Sequence, residues 1–379
     1  MRAGGGLIHL VNLLRAGTPC AHGFSKVVVW AGNATLSRIE AQDWLVKSHQ
    51  HLLDKSLLYR IFWQRAHLVA LARSAGCDVL FVPGGSYSGS FSPAVTMSQN
   101  LLPFEWKELW RYGFSSTTFR LLVLRWAQTR TFRKADGVIF LTEFARDVVT
   151  HVVRKTRGET KIIPHGAEVG PAGLTRKQLR LSEYSTEQPF RLLYVSIVDL
   201  YKHQWHVVDA VTKLRKSGLP VVLDLVGPAY PPALSQLRKT MSRVDPTSVF
   251  IRYLGEVSHQ DLYKYYAEAD AFVFASTCET FGQVLLEAMS AGLPIACSNR
   301  YPMREIVSDA GIYFDPEDAN DIARSLTELI DSPELRETLA KASTARVKMF
   351  SWERCASETF GFLSTIACGL PSILAPEQS

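Results

Sequence analysis

Residues 276–294 read STCETFGQVLLEAMSAGLP and follow the apolar run AFVFAS at 271–276. This run is rich in Val and Phe, which predicts a short buried strand. Residues 283–290 are good helix formers, and Gly292 and Pro294 supply stop signals after them. The predicted order is strand, glycine-containing turn and helix. In an open α/β sheet such a turn lies at the carboxyl end of a strand, where ligands bind.

The turn itself combines phosphate-binding and hydroxyl-binding groups. The backbone N–H groups of Phe281, Gly282 and Gln283 precede the first helical turn, where orphan donors and the helix dipole favour an anion. A glycine at 282 lets a ligand approach the backbone closely. Glu279 and Glu287 would repel the anion itself, so we assign them to hydroxyl groups beside it: a sugar for Glu279 and a ribose for Glu287. Taken alone, either glutamate is better explained structurally, as a capping carboxylate at 279 or as a solvated helix residue at 287.

From Glu279 onward, E-T-F-G-Q-V-L-L-E-A-M-S-A-G-L-P resembles the E-x7-E signature of the retaining, nucleotide-sugar-dependent glycosyltransferases of family four. The resemblance covers most of the C-terminal half and, more weakly, the N-terminal half. It implies an α/β protein of the GT-B fold, with two Rossmann-like domains facing each other across a cleft and a C-terminal helix that crosses back. The implied domains are 1–168 for the acceptor, a linker at 169–188, 189–350 for the nucleotide sugar, and a helix and tail at 351–379.

Strand-like apolar runs alternate with helical segments along both halves, which independently predicts parallel sheets. The region between the first two runs, residues 39–74, is predicted to be mostly helical. The predicted strands lie at residues 26–31, 77–83, 94–97, 135–142, 161–166, 190–196, 220–227, 249–255, 271–276 and 312–316.

A second loop, VSIVDLYKH at 195–203, resembles the family's V-G-R-x-x-x-x-K-G loop, which holds the donor diphosphate. Lys202 falls on the lysine position, whereas Ser196 and Ile197 replace the glycine and the arginine. One phosphate contact is therefore missing, although a single flexible ammonium still binds phosphate. Ser196 and Gly227, each at the end of a predicted strand, complete the predicted donor-binding residues. Taken alone, Lys202 is better explained as a surface lysine.

The acceptor side is predicted at two places in the N-terminal half. Gly4, Gly5 and Gly6 precede a helical pattern and are in principle a phosphate or sugar cradle. In the family this loop follows a first strand, so we expect the protein to start about ten residues further upstream. Gln99 and Asn100 follow the third predicted strand, where the family often has a His-Asp pair. This departure argues against a histidine acid–base role there and leaves hydrogen bonding.

Composition limits the class of protein. A chain of 379 residues suggests two domains, and 47% hydrophobic with 21% charged residues is ordinary for a globular protein. A net charge of +6 fits an anionic substrate or membrane surface, and no clustered motif suggests nucleic acid. The six cysteines are scattered, which favours a reducing, cytoplasmic compartment.

The stretch 102–134 interleaves aromatic and basic residues, and we expect it to be helical. Such a segment can lie on the surface of an anionic membrane. A core helix with a solvated cationic face explains the same pattern. Both interpretations stay open at this point.

The resemblance implies transfer of a sugar from a UDP- or GDP-sugar to a hydroxyl of a glycan or lipid-linked acceptor, with retention of configuration, in bacterial polysaccharide or lipid-linked glycan synthesis. Lys202 and Glu279 are the candidate catalytic residues. No metal and no cofactor beyond the nucleotide sugar are expected, because D-x-D and zinc-ligand clusters are absent from the sequence. The alternatives are a noncatalytic nucleotide-sugar-binding subunit, an epimerase of the same fold, and a dehydrogenase, which the missing G-x-G-x-x-G spacing disfavours.

Overall fold

The computed structural model describes residues 5–167 and 177–369, apart from the side chains of residues 259 and 260. The chain forms two compact units. The first consists of Met1–Glu105, Phe114–Gly166 and Ser351–Ser379, and the second of Trp106–Gly113 and Ala167–Phe350. A short segment from the first half of the sequence is therefore part of the second unit.

The first unit contains two parallel sheets. One pairs β1 (Val27–Ala31) with β2 (Leu45–His49), and the other has the order β3 (Leu80–Val82), β4 (Ala94–Met97), β5 (Gly137–Phe140) and β6 (Glu159–Ile162). The prediction of a mostly helical region at 39–74 was wrong at β2. Only the first residue of β2 is buried, so its sequence lacks the apolar pattern by which a strand is recognised.

Helices surround these sheets. They are Gly5–Ala16, Asn33–Leu36, His51–Asp54, Leu57–Ala66, Leu68–Ser74, Ser116–Lys134, Glu143–Val153 and Trp352–Cys368, with a 3-10 turn at Pro19–His22. The last helix follows the second unit in sequence but is part of the first, as expected. It packs beside the first helix, and the Phe360 ring lies 6.4 Å from the rings of Phe24 and Trp44.

The second unit contains one parallel sheet of six strands. Its strands are β7 (Phe190–Val195), β8 (Val221–Val226), β9 (Ile251–Gly255), β10 (Ala271–Phe274), β11 (Ile295–Ser298) and β12 (Gly311–Phe314), in the order β12-β11-β10-β7-β8-β9. The chain runs outward from β7 in one direction and then, from β10, in the other. Between β7 and β10 the strand order therefore reverses, and such a switch point opens a crevice at the carboxyl ends of the strands.

Helices also flank this sheet. They are Trp106–Leu109, Gln204–Lys216, Pro231–Val244, His259–Glu268, Gln283–Ser290, Met303–Val307, Ala319–Asp331 and Pro333–Val347, with 3-10 turns at Trp110–Tyr112, Leu181–Glu183 and Leu200–Lys202. Across the described residues, no helix combines the length and the hydrophobicity that a membrane crossing requires.

The aromatic and basic stretch 102–134 is not one continuous helix. It breaks at Gly113, whose φ of 57° lies in the left-handed region, and the hydroxyl of Ser115 then caps the following helix by accepting from the N–H of Thr118. Within this stretch, Trp106–Gly113 belongs to the second unit, whereas the residues on either side of it belong to the first. The expectation of a single helical segment was therefore wrong.

Candidate functional site

The candidate donor site lies at the carboxyl ends of β7, β8 and β10. Ser196 follows β7, and Gly227 follows β8 with a φ of 139°. A Cβ atom at Gly227 would lie 2.1 Å from the carbonyl oxygen of Ser196. The two backbones can approach this closely only because residue 227 is a glycine.

The turn after β10 has the predicted order of elements. The helix Gln283–Ser290 begins where the sequence predicts, and Gly282 precedes it with a φ of 90°. Phe281 is buried, and its ring lies 5.8 Å from that of Phe350. The turn is thus anchored by an aromatic residue and shaped by a glycine in the left-handed conformation.

Lys202 and Glu279, the two predicted catalytic residues, contact each other. The ammonium group of Lys202 donates a hydrogen bond to Oε1 of Glu279. Their side chains are only 7% and 15% exposed, respectively. The ammonium also lies 4.8 Å from the ring centroid of Phe274 and 5.1 Å from that of Tyr201. A buried ion pair with aromatic walls therefore joins the loop after β7 to the loop after β10.

Glu287 lies on the helix behind this turn and is half-buried. Its Oε2 accepts a hydrogen bond of 2.9 Å from the hydroxyl of Tyr266. Burial, followed by the charge of Glu287, raises the pKa of Tyr266 well above its usual value, so the phenol stays a donor. The carboxylate of Glu287 is therefore held in a defined position.

The segment Trp106–Gly113 supplies two contacts that sequence reasoning missed. The hydroxyl of Tyr112 donates to Oδ1 of Asp199 at 2.7 Å, and this oxygen also accepts from the N–H of the next residue at 2.7 Å. The hydroxyl of Thr277 donates to Oε2 of Glu108 at 2.7 Å. Asp199 starts the 3-10 turn that ends at Lys202, so the segment contacts both loops that carry the ion pair.

A charged network holds this segment on the second unit. Arg111 binds Glu108 at 2.6 Å and Glu317 at 2.9 Å, and Lys107 binds Glu317 at 2.9 Å. Burial raises the pKa of Glu317, but the hydrogen bonds from Lys107 and Arg111 outweigh burial and lower it to about 2. The alternation of acid and base in WKELWRY is the one sequence signal that could have indicated this role.

The predicted acceptor-side residues lie in the first unit. Gly4 lies outside the described residues, Gly5 is exposed at the start of the first helix, and Gly6 is half-buried. Gln99 and Asn100 follow β4; the amide oxygen of Asn100 accepts from the N–H of Leu102 at 3.1 Å, and Nε2 of Gln99 lies 3.1 Å from the sulfur of Met97. These side chains shape their own loop, and their role toward an acceptor stays a prediction.

Within residues 5–167 and 177–369, no three His, Cys, Asp or Glu side chains are placed to hold a metal ion together. The expectation of a metal-independent protein stays a prediction.

Residues 176–346, most of the second unit, match the family model described as glycosyl transferases group 1. The chain is 42% identical over 110 residues to O-antigen chain mannosyltransferase B of Escherichia coli, which is 29% of each protein. It is 26% identical over 232 residues to a glycogen synthase of Mycobacterium tuberculosis, covering 60% of this chain and 53% of that protein. The chain thus spans about half or less of the length of these relatives.

Among solved structures, the sucrose-phosphate synthase from Thermosynechococcus elongatus superposes with a TM-score of 0.75 at 20% sequence identity, covering 97% of this chain and 94% of that one. At this identity the likeness concerns the fold alone. The parallel sheets of the two units agree with it. The chain therefore has the α/β fold of the GT-B type, built from two Rossmann-like units, and the second of them matches the group 1 glycosyl transferases.

Proposed function

We propose that the protein is a retaining glycosyltransferase that moves a sugar from a nucleoside diphosphate sugar to an acceptor hydroxyl. The observation that carries the proposal is the buried pair of Lys202 and Glu279 at the switch point, beside a helix that begins after a left-handed glycine. The match of residues 176–346 to the group 1 glycosyl transferases supports it.

The ion pair has a direct chemical interpretation. In the free protein, Lys202 and Glu279 satisfy each other and remain in place at low exposure. When the donor binds, the ammonium moves to the diphosphate and the carboxylate to the sugar hydroxyls. Because two buried charges are costly unless each is paired, the exchange is favourable only for a ligand that offers both an anion and hydroxyl donors.

Transfer proceeds through an oxocarbenium-like transition state, as in glycoside chemistry generally. Negative charge grows on the leaving diphosphate, and Lys202 stabilises it together with the N–H groups of the turn at Phe281, Gly282 and Gln283. Ser196 and Gly227 form the wall where the donor meets the backbone, and Glu287 accepts from the ribose. Because the diphosphate charge is met by protein groups, we expect no metal requirement.

For the donor sugar we propose mannose first, because the relative with 42% identity is named a mannosyltransferase. The base, uracil or guanine, is decided by titration with UDP and GDP. The acceptor would be a glycan or a lipid-linked glycan that contacts Gly4, Gly5, Gly6, Gln99 and Asn100.

The helix Ser116–Lys134 supports peripheral contact with an anionic membrane at its cytoplasmic face. Phe119, Val123 and Trp126 are 70%, 49% and 66% exposed, and their spacing of four and three residues puts them on one helix face. Flotation with liposomes tests this contact. We expect binding at low salt only when anionic lipid is present, and no flotation under that condition removes the proposal.

A noncatalytic nucleotide-sugar-binding protein is the second candidate, and one observation favours it. Ile197 stands at the arginine position of the phosphate-binding loop, so Lys202 lacks the arginine that accompanies it in the family's loop. Such a protein would bind the donor with the same residues and release no nucleotide.

The deciding experiment measures release of nucleoside diphosphate from GDP-mannose, UDP-glucose and other donors, with and without glycan acceptors. Acceptor-dependent release that Glu279→Ala abolishes, with the fold intact by circular dichroism, supports the transferase. The anomeric configuration of the product, read by NMR, tests retention. Donor binding without any release supports the noncatalytic candidate, and unchanged rates after EDTA treatment support the absence of a metal.

A further inference from the structure

A groove of about 540 Å³ lies in the first unit, and its lining includes none of the predicted acceptor residues. Its lining includes Ala94, the first residue of β4, and Asp136, which directly precedes β5. Gln99 and Asn100 follow the opposite end of β4, so they are separated from the groove by the length of a four-residue strand, roughly 13 Å. The groove is therefore a different place on the sheet.

Hydrogen bonds hold one wall of the groove in place. Residues 86–92, SYSGSFS, form one side, and one face of the helix Ser116–Lys134 forms another. The N–H of Tyr87 donates to Oγ1 of Thr131 at 3.0 Å, and the N–H of Ser88 donates to Oε1 of Gln64 at 3.0 Å. Because the loop is tied to two different helices, the groove has a defined shape before any ligand enters.

The charge of the lining is strongly one-sided. Four cationic residues line the groove, namely Arg65, Arg130, Lys134 and Arg157, and Asp136 is the one acidic residue among the described lining residues. Asp136 is already engaged, 3.6 Å from Arg157 and bound by two further donors. Among residues 5–167 and 177–369, no partner forms a hydrogen bond or ion pair with the side chains of Arg65, Arg130 and Lys134. The groove is thus lined by three cationic side chains that have no ion-pair partner among the described residues.

Two further groups suit a phosphate ester. The hydroxyl oxygen of Ser86, a lining residue, is buried and has no hydrogen-bond partner among the described residues. Trp126 is 66% exposed at the groove, so its indole offers a flat surface for the group that the phosphate carries. Guanidinium groups bind phosphate oxygens in a bidentate way. We propose that this groove binds a phosphate ester or diphosphate, at a site that shares no residue with the predicted donor and acceptor sites.

The test titrates pyrophosphate into the 379-residue protein by calorimetry. Arg130→Gln combined with Lys134→Gln is the test variant. Lys239→Gln combined with Lys348→Gln is the control, since it removes the same charge from exposed positions of the second unit. The proposed donor site is unaltered in both variants, so a difference between them reports the groove whether or not the transferase proposal holds. Far-ultraviolet circular dichroism checks that both variants are folded.

We expect the test variant to lose one binding event or to weaken it about tenfold or more, as the loss of charged hydrogen bonds predicts, while the control resembles the wild type. Equal affinities in the two variants, or no measurable heat in the wild type, overturn the proposal. Sedimentation with vesicles then identifies the source. Binding to phosphatidylglycerol vesicles that pyrophosphate displaces indicates a lipid headgroup, and binding of pyrophosphate alone indicates a soluble phosphate ester.

Discussion

Replacing Lys202 with methionine tests the central pair. Methionine keeps the length and the apolar stem of the side chain and removes the charge. In the free protein, Glu279 then becomes a buried carboxylate without its cation. Breaking a buried pair by removing one partner costs about 3 to 5 kcal/mol, and the 7% and 15% exposures put this pair in that class. With about 3 kcal/mol, the melting temperature should fall by roughly 6 to 12 °C.

Lys202→Met should also lower kcat, through a mechanism separate from the loss of stability. Loss of one preorganised donor to a developing anion costs about 2.7 to 4 kcal/mol, or roughly 10² to 10³ in kcat. The assay is nucleoside diphosphate release under saturating donor, at a temperature where calorimetry shows the variant to be folded. Lys341→Met is the matched control, because Lys341 pairs with Glu337 at 2.7 Å while both side chains are more than half exposed. It should change neither quantity measurably.

A double variant separates the two roles of Lys202. Adding Glu279→Gln removes the unpaired carboxylate charge that Lys202→Met leaves at position 279. The double variant should therefore be more stable than Lys202→Met alone, and it should remain inactive. If Lys202→Met kept kcat within about threefold of the wild type, the lysine would not stabilise the leaving group. If the double variant were no more stable, the buried-pair argument would be wrong.

Three further predictions concern donor binding, the segment Trp106–Gly113 and the pH dependence of stability. Glu287→Ala should raise the KM for the donor with little change in kcat, and an unchanged KM counts against the ribose contact. Tyr112→Phe deletes only the hydrogen bond to Asp199, which is worth about 1.5 to 3 kcal/mol because the acceptor is charged. The variant should show faster amide hydrogen exchange in residues 199–203, measured by mass spectrometry. Identical exchange rates contradict a positioning role for Tyr112. Burial lowers the pKa of His9 to about 4 and that of His203 to about 3. Below pH 6.5 the unfolded chain therefore binds more protons than the folded protein, and the free energy of unfolding should fall by about 2 kcal/mol per histidine from pH 7 to pH 5. Equal midpoints of urea unfolding at the two pH values refute this prediction.

The sequence by itself determined those helices and strands that are marked by their own apolar pattern or by a glycine at a turn. The helix Gln283–Ser290 is recognisable because a buried apolar strand precedes it and a glycine stands where a left-handed residue is needed. The strand β2 escaped prediction because most of its side chains are exposed, so parallel pairing with β1 makes it a strand without an apolar pattern. A strand of this kind depends on its neighbour more than on its own residues.

The constellation around Lys202 shows what only the tertiary structure decided. The sequence, with its family resemblance, placed Lys202 and Glu279 as candidates, but it carried no information that two residues 77 positions apart form one ion pair. It also presented residues 102–134 as one amphipathic stretch, whereas Tyr112 binds Asp199 in the second unit and Trp126 lies in the first. Periodicity reports which face of an element is apolar; which partner covers that face depends on contacts between residues far apart in the chain, and these exist only once the sheets have formed.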